Sequence, residues 1–231
     1  MSKKVHFIPG TMCTEKLWYK LIPLLDKDIE PVFLKIPPNK NFADIAAHFH
    51  SILDTDKVNL VGFSLGGYVA SYFARVYPEQ LDRLFVIANS PSCLPAQEVK
   101  QRNVVLDYVM HHGYSGMSRK KASNLLDRSN RDRELTEVIL DMDRTLGISE
   151  FISQYQYTTD RVELRGAFEQ FRFPTYFYFS EKDPLVNTLW FEGLTDTNPN
   201  LSVRKVSGSG HMLPLEQPLE LANYLHAWLD M

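Results

Sequence analysis

The chain has 231 residues, 44% of them hydrophobic and 23% charged, with a formal net charge of −3. That length suits one sizeable domain better than two independent ones, and the near-neutral balance gives no reason to expect nucleic acid or an anionic membrane as partner. Apolar runs such as Phe173–Phe179 are far too short to span a bilayer, and two cysteines, Cys13 and Cys93, are too few for a disulfide framework.

In chain order, the opening MSKKVHFIPG has only Val5–Ile8 as apolar core, too short for a signal peptide, so a cytoplasmic protein is expected. Val5–Pro9 is predicted as a strand and Thr14–Leu25 as a helix, with Leu17, Trp18, Leu21 and Ile22 on one face. Pro31–Ile36 is a second strand, Phe42–Leu53 a second helix and Val58–Phe63 a continuously apolar third strand. Leu65–Tyr77 is a helix stopped by Pro78, and Leu84–Ala88 a fourth strand.

Strand and helix alternating in this way predict right-handed crossovers and a parallel sheet covered on both faces. From Ala96 to Phe168 the strand patterns vanish, charge rises (RKKASNLLDRSNRDREL) and short helices such as Val104–Met110 and Leu135–Met142 are expected. The alternation then resumes, with a strand at Pro174–Phe179, a short helix at Leu189–Leu194, a strand at Leu201–Val206 and a closing helix at Pro218–Leu229. The simplest organisation is an α/β core formed by residues 1–95 and 169–231, carrying a helical insertion at 96–168.

Gly62-Phe63-Ser64-Leu65-Gly66 matches the nucleophile-elbow pattern G-x-S-x-G, and its context is a strand before it and an amphipathic helix after it. Such a turn is sharp enough to strain the serine backbone, and it lifts the hydroxyl above the carboxyl edge of the sheet. The helix aims its N-terminal amides at the same point, so the Leu65 N–H can meet a developing oxyanion. An inert glycine turn under a helix is the competing reading of these five residues.

A serine nucleophile needs a base, usually a histidine oriented by a carboxylate. Among seven histidines, His6 falls in the first strand, His48 and His50 on opposed faces of a helix, and His226 in the last helix. His111 and His112 lie in the insertion. His211 follows the loop Ser207-Gly208-Ser209-Gly210 after the last strand, at the edge where it can reach Ser64. Ser180-Glu181-Lys182-Asp183-Pro184 follows the preceding strand. There Asp183, with Pro184 fixing the chain beyond it, is preferred over Glu181 as the acid. Asn89-Ser90-Pro91, after the fourth strand, carries no acid. A second oxyanion donor is expected from Pro9-Gly10-Thr11-Met12, with the Thr11 amide first and that of Met12 next.

Together these places resemble the α/β-hydrolase superfamily. IPGTMCTEKLW is similar to its oxyanion loop, VGFSLGGYVA to its elbow, FPTYFYFSEKDPLV to its acid loop and GSGHMLPLEQP to its histidine loop. TDRVEL, at Thr159–Leu164, fits its small-cap members. Pro9 departs from the histidine that many relatives carry before the oxyanion glycine, and the chain starts at the strand leading to that loop. The resemblance therefore implies the α/β-hydrolase fold with about six parallel strands, flanked by helices on both faces, and a helical cap at 96–168.

The function implied is a small-cap serine esterase. It would cleave a small-to-medium carboxylic ester through Ser64, His211 and Asp183 and an acyl-enzyme intermediate, with the Leu65 and Thr11 amides as oxyanion hole. Thioesters, lactones, C–C bonds and eliminations occur on the same scaffold, and a receptor that keeps the fold without turnover is the reading from another class. Neither a metal nor an organic cofactor is expected, and the partner is a small acyl substrate; oligomeric state is not readable. Candidate pocket walls are Tyr108, Met110, His111, Tyr114 and Met117 in the insertion, with Met12, Phe63 and Met212 around the nucleophile.

Overall fold

A computed structural model describes residues 2–53, 57–130, 132–208 and 210–230. Met1 of the opening stretch, Arg131 of the charged run and Ser209 of the loop before His211 lie outside the described residues.

The core is one six-stranded sheet in the order β2-β1-β3-β4-β5-β6, parallel throughout. Its strands are β1 (Lys3–Ile8), β2 (Ile29–Phe33), β3 (Val58–Phe63), β4 (Leu81–Ile87), β5 (Thr175–Ser180) and β6 (Leu201–Val206). From β1 the chain builds β2 on one side and β3 on the other, so the winding reverses between β1 and β3. Open α/β sheets bind ligands beyond the carboxyl ends of strands at such a point. Ile8 lies opposite Gly62, and Phe63 opposite Ile87, so the segments following β1, β3 and β4 emerge side by side.

Helices cover both faces, as the pleat of β4 makes plain. Val86 faces α2 (Leu65–Val76), where a Cβ on Gly67 would come within 3.1 Å of its Cγ1. Phe85, pointing the other way, meets the Trp228 ring of α9 (Pro218–Leu229) edge-on at 5.5 Å. Asn41 caps α1 (Phe42–Ile52) by accepting from the Asp44 amide, and the buried Phe42, Ile45, Ala46 and Phe49 form its inner stripe against α2. Pro31 is accommodated because β2 is an edge strand.

The predicted helix at Thr14–Leu25 is instead two short 3-10 turns, Glu15–Trp18 and Ile22–Leu24. Pro23 has no N–H to give, and its ring rejects the carbonyl four residues back, so no α-helix can run through it. The apolar positions still serve as expected, since Leu17, Trp18 and Leu21 are fully buried. Trp18 lies 5.0 Å from Phe7 and 6.5 Å from Phe63, wedging the segment after β1 against the base of the elbow. The expected helix at Leu189–Leu194 is likewise a 3-10 turn, Thr188–Phe191, followed past Gly193 (φ 67°) by another short helix.

Between β4 and β5 the described residues form helices and turns. These are α3 (Ala96–His112), α4 (Arg119–Asn124), α5 (Arg133–Tyr157) and α6 (Arg165–Phe168). α3 and α5 run well beyond the predicted Val104–Met110 and Leu135–Met142. α5 breaks at Gly147, whose φ of 67° and ψ of −165° glycine alone adopts cheaply. α7 (Leu194–Thr197) and α8 (Leu213–Glu216) complete the chain. No helix among the described residues is long and apolar enough to cross a membrane.

Candidate active site

Ser64 sits between the end of β3 and the first residue of α2 with φ 51° and ψ −116°. A non-glycine residue there stores about 1–3 kcal/mol of strain, which the surrounding structure must hold. What holds it is close packing. A Cβ on Gly62 would lie 2.2 Å from the Gly66 carbonyl oxygen, and one on Gly66 would lie 2.3 Å from that of Ile8. The Ser64 amide also donates to the Ile87 carbonyl at 2.9 Å, which ties the turn to β4.

His211 Nδ1 lies 2.7 Å from Asp183 Oδ2, and Nε2 lies 3.0 Å from Ser64 Oγ. Because a carboxylate only accepts, Nδ1 carries the proton toward Asp183, and Nε2 is left to accept from the serine hydroxyl. Asp183 and His211 are buried, while Ser64 is partly exposed. Asp183 is held by a second bond, from the Leu185 amide to Oδ1 at 2.9 Å. The histidine loop is fixed at three places. Ser180 Oγ donates to the Gly210 carbonyl at 2.6 Å, the His211 amide donates to the Leu125 carbonyl at 2.8 Å, and the Phe63 ring lies 5.1 Å from the imidazole. Glu181, the other acid weighed, is exposed and lies beside Lys182.

Gly10–Cys13 is a β-turn closed by the Cys13 amide on the Gly10 carbonyl at 3.1 Å, with Met12 at φ 54°. This leaves the Thr11 amide without an acceptor among the described residues. Leu65, as the first residue of α2, has no acceptor for its amide inside the helix. The Met12 amide, the other donor considered, is engaged: it donates to Gln154 Oε1 at 2.9 Å. Gln154 reaches the turn from α5, 142 positions away, and its amide nitrogen donates to Glu150. No sequence signal marks a contact across such a separation.

A cavity of about 580 Å³ opens on Ser64 and His211. Of the expected walls, Met12, Phe63, Tyr114, Met117 and Met212 line it. Tyr108, Met110 and His111 do not, which corrects the expectation. Tyr108 is 61% and Met110 57% exposed, and the exposed His111 bonds back to the Asp107 carbonyl one turn earlier. α3 turns about 100° per residue and buries Val109 against Met12 and Phe151, so the residues flanking Val109 point outward. Asp143, buried in α5, positions the two expected insertion residues that do reach the cavity. It accepts from the Tyr114 hydroxyl and, at 2.7 Å, from the Met117 amide.

Sequence reading also missed Phe151 and Tyr155, which stack with Tyr114 at 4.4 and 4.1 Å steps, and Arg102 and Arg161 at the same cavity. Cys13 lines the cavity too. Burial pushes its thiol up to about 12, so it supplies no thiolate near neutral pH to compete with Ser64.

Glu216 braces the histidine loop from below. It accepts from the Asp127 amide at 2.6 Å and the Met212 amide at 3.1 Å, and it packs where a Cβ on Gly210 would be. Burial nonetheless outweighs these bonds and raises its carboxyl to about 7. The folded state then binds the proton more tightly than the unfolded chain, so this group's contribution to stability falls as pH rises from about 4.5 to 7. Glu216→Gln, neutral throughout, should gain on the wild type by about 1–2 kcal/mol between pH 5 and 8, water screening keeping the figure small. Urea midpoints of both proteins at the two pH values test this, and parallel shifts would rule it out.

A family described as the alpha/beta hydrolase fold matches residues 35–130, a span that includes the elbow and stops before Asp183 and His211. The biotin biosynthesis bifunctional protein BioHC of Teredinibacter turnerae is 23% identical over 96% of this chain, which spans 44% of that protein's length. A thermophilic esterase of Thermogutta terrifontis, solved with malate bound, superposes with a TM-score of 0.84 at 20% identity, covering 100% of this chain and 90% of the other. The carboxylesterase CesB of Bacillus subtilis gives 0.75 at 18% identity, covering 99% and 84%. At these identities the structural likeness speaks to the fold, and it agrees with the six parallel strands flanked by helices. The chain has the α/β-hydrolase fold.

Proposed function

We propose that the chain is a serine hydrolase that cleaves a small-to-medium carboxylic ester through an acyl-enzyme intermediate. The observation that carries this reading is the unbroken line of hydrogen-bonded groups from Ser64 Oγ through the His211 imidazole to Asp183, on a strained serine. A protein that only binds its ligand gains nothing from that strain.

Ser64 Oγ attacks the ester carbonyl while His211 Nε2 takes its proton, and Asp183 stabilises the imidazolium that results. The carbonyl oxygen, now an oxyanion, takes hydrogen bonds from the Leu65 and Thr11 amides, which have no competing acceptor among the described residues. His211 returns the proton to the departing alkoxide, leaving an acyl-serine. Water then attacks the acyl carbon as His211 takes its proton, and the released Ser64 Oγ recovers one. Every proton and electron pair in this cycle is handled by Ser64, His211 and water.

Residues 96–168 serve as the cap in this reading, closing the cavity with Tyr114, Met117, Phe151 and Tyr155 and bracing the Met12 turn through Gln154. The exposed free thiol of Cys93 supports a reducing, cytoplasmic setting. A fluorophosphonate probe should label the wild-type protein and leave Ser64→Ala unlabelled, with the loss of p-nitrophenyl ester turnover in parallel. Equal labelling of the two proteins would sink the assignment. A panel of esters and thioesters of graded chain length then identifies the acyl bond.

A further inference from the structure

Ser64 and His211 share their cavity with two guanidiniums, Arg102 from α3 and Arg161 from the segment after α5. Both are partly buried and both lie over aromatic rings: Arg102 is 4.4 Å from the centre of Tyr155, and Arg161 is 4.9 Å from that of Tyr68. Arg102 Nε donates to Thr159 Oγ1 at 2.8 Å, and Arg161 Nε to the Thr158 carbonyl at 3.3 Å. The terminal nitrogens are a different matter. Arg102 Nη2 is buried with no acceptor among the described residues, and neither arginine forms an ion pair with a carboxylate among them. Glu98 is near enough to favour both charges but bonds to neither.

Two like charges set side by side away from water oppose each other, and the consequence is visible. Burial, then the neighbouring Arg102, pulls the Arg161 guanidinium down to about 10. A purely structural role accounts for the Nε bonds and the ring stacking. It does not account for two guanidiniums lining one cavity with no carboxylate bonded to either among the described residues. An anionic group on the substrate accounts for both.

We propose that the ester cleaved at Ser64 carries a carboxylate, which Arg102 and Arg161 receive in the cavity. This rests on the hydrolase reading above and adds the class of substrate. With Glu98 counted, the partly buried trio has a formal charge of +1, which a single carboxylate neutralises. Lys120 and Lys121, exposed at the cavity rim, add to the field that draws the anion in. The apolar lining of the same cavity, from Phe63, Met12, Phe151 and Met212, suits the methylenes that separate the two ends of such a molecule.

The test uses matched pairs that differ only in the charge. One pair carries it on the acyl side, mono-p-nitrophenyl adipate against its methyl ester; the other carries it on the alcohol side, 4-acetoxybenzoate against methyl 4-acetoxybenzoate. In at least one pair, wild-type kcat/KM should favour the anion, and Arg102→Gln or Arg161→Gln should lower the anion-to-neutral ratio by about 10- to 100-fold, the worth of one charged hydrogen bond. Arg102→Lys should recover part of it. A ratio, read within one protein, is insensitive to partial loss of folded enzyme. If both ratios stay within about threefold of wild type, the proposal is overturned while neutral-ester turnover leaves the hydrolase reading standing. If neither turnover nor Ser64 labelling occurs, that reading fails by itself. The site is then judged by calorimetry on Ser64→Ala with monomethyl and dimethyl adipate: binding of the monoacid alone, lost in Ser64→Ala/Arg102→Gln, supports it, and equal binding of both refutes it.

Discussion

His211→Ala should lower kcat for ester hydrolysis by about 10⁶, Ser64→Ala by a similar factor, and the double variant by no more than either alone. The expectation follows from the geometry. With His211 gone, no other group among the described residues lies within hydrogen-bond distance of Ser64 Oγ to take its proton, and burial keeps the Cys13 thiol from standing in. Asp183→Asn is the more discriminating change. The Leu185 amide donates to Oδ1 and will hold an asparagine by its oxygen, turning the NH₂ toward His211 Nδ1. Nδ1 must then accept, the proton moves to Nε2, and the ring donates to Ser64 instead of accepting from it. The fold is untouched and the base is lost, at a cost of about 10⁴ in kcat. Steady-state kinetics on a p-nitrophenyl ester, with thermal midpoints as control, decide the matter; Asp183→Asn within tenfold of wild type would mean His211 is not oriented by Asp183.

The same geometry explains what was legible in the sequence. Ser64, Asp183 and His211 each follow a parallel strand, and all parallel strands end at one edge, so three distant residues could be assigned to one place from strand order alone. The elbow is a local motif whose glycines are demanded by contacts within a few residues and by the next strand. Where the reading failed, the deciding interaction lay outside the pattern. The run Leu17, Trp18, Leu21, Ile22 has helical spacing, yet Pro23 vetoes the helix and 3-10 turns bury the same side chains. In α3 polarity is high all round, so no apolar stripe tells which face is inward, and nothing in the pattern separates the outward Tyr108, Met110 and His111 from Arg102, which lines the cavity. Gln154 was invisible for another reason. Its partner is a backbone amide in the Met12 turn, and a backbone amide leaves no trace in a sequence.

Gly66→Ala should cost about 3 kcal/mol or more, or leave the chain insoluble. Its new methyl would lie 2.3 Å from the Ile8 carbonyl oxygen and 2.4 Å from that of Pro9. These are backbone atoms of the end of β1 and of the residue that follows it, which cannot yield by a change of rotamer. Relief requires β1 to move away from the elbow, and β1 leads directly into the turn bearing the Thr11 amide. Any molecules that still fold should therefore lose reactivity as well as stability, because the oxyanion donors separate as the strain is relieved. Gly166→Ala is the control: a Cβ there meets nothing within 4 Å, so the change should be neutral or stabilising by about 0.5–1 kcal/mol, as for glycine replaced in a helix. Thermal midpoints and the rate of fluorophosphonate labelling measure the two consequences separately. A Gly66→Ala protein with wild-type midpoint and undiminished labelling would show that the elbow does not need the close approach of β1, and with it would go the argument that strain at Ser64 is held by packing.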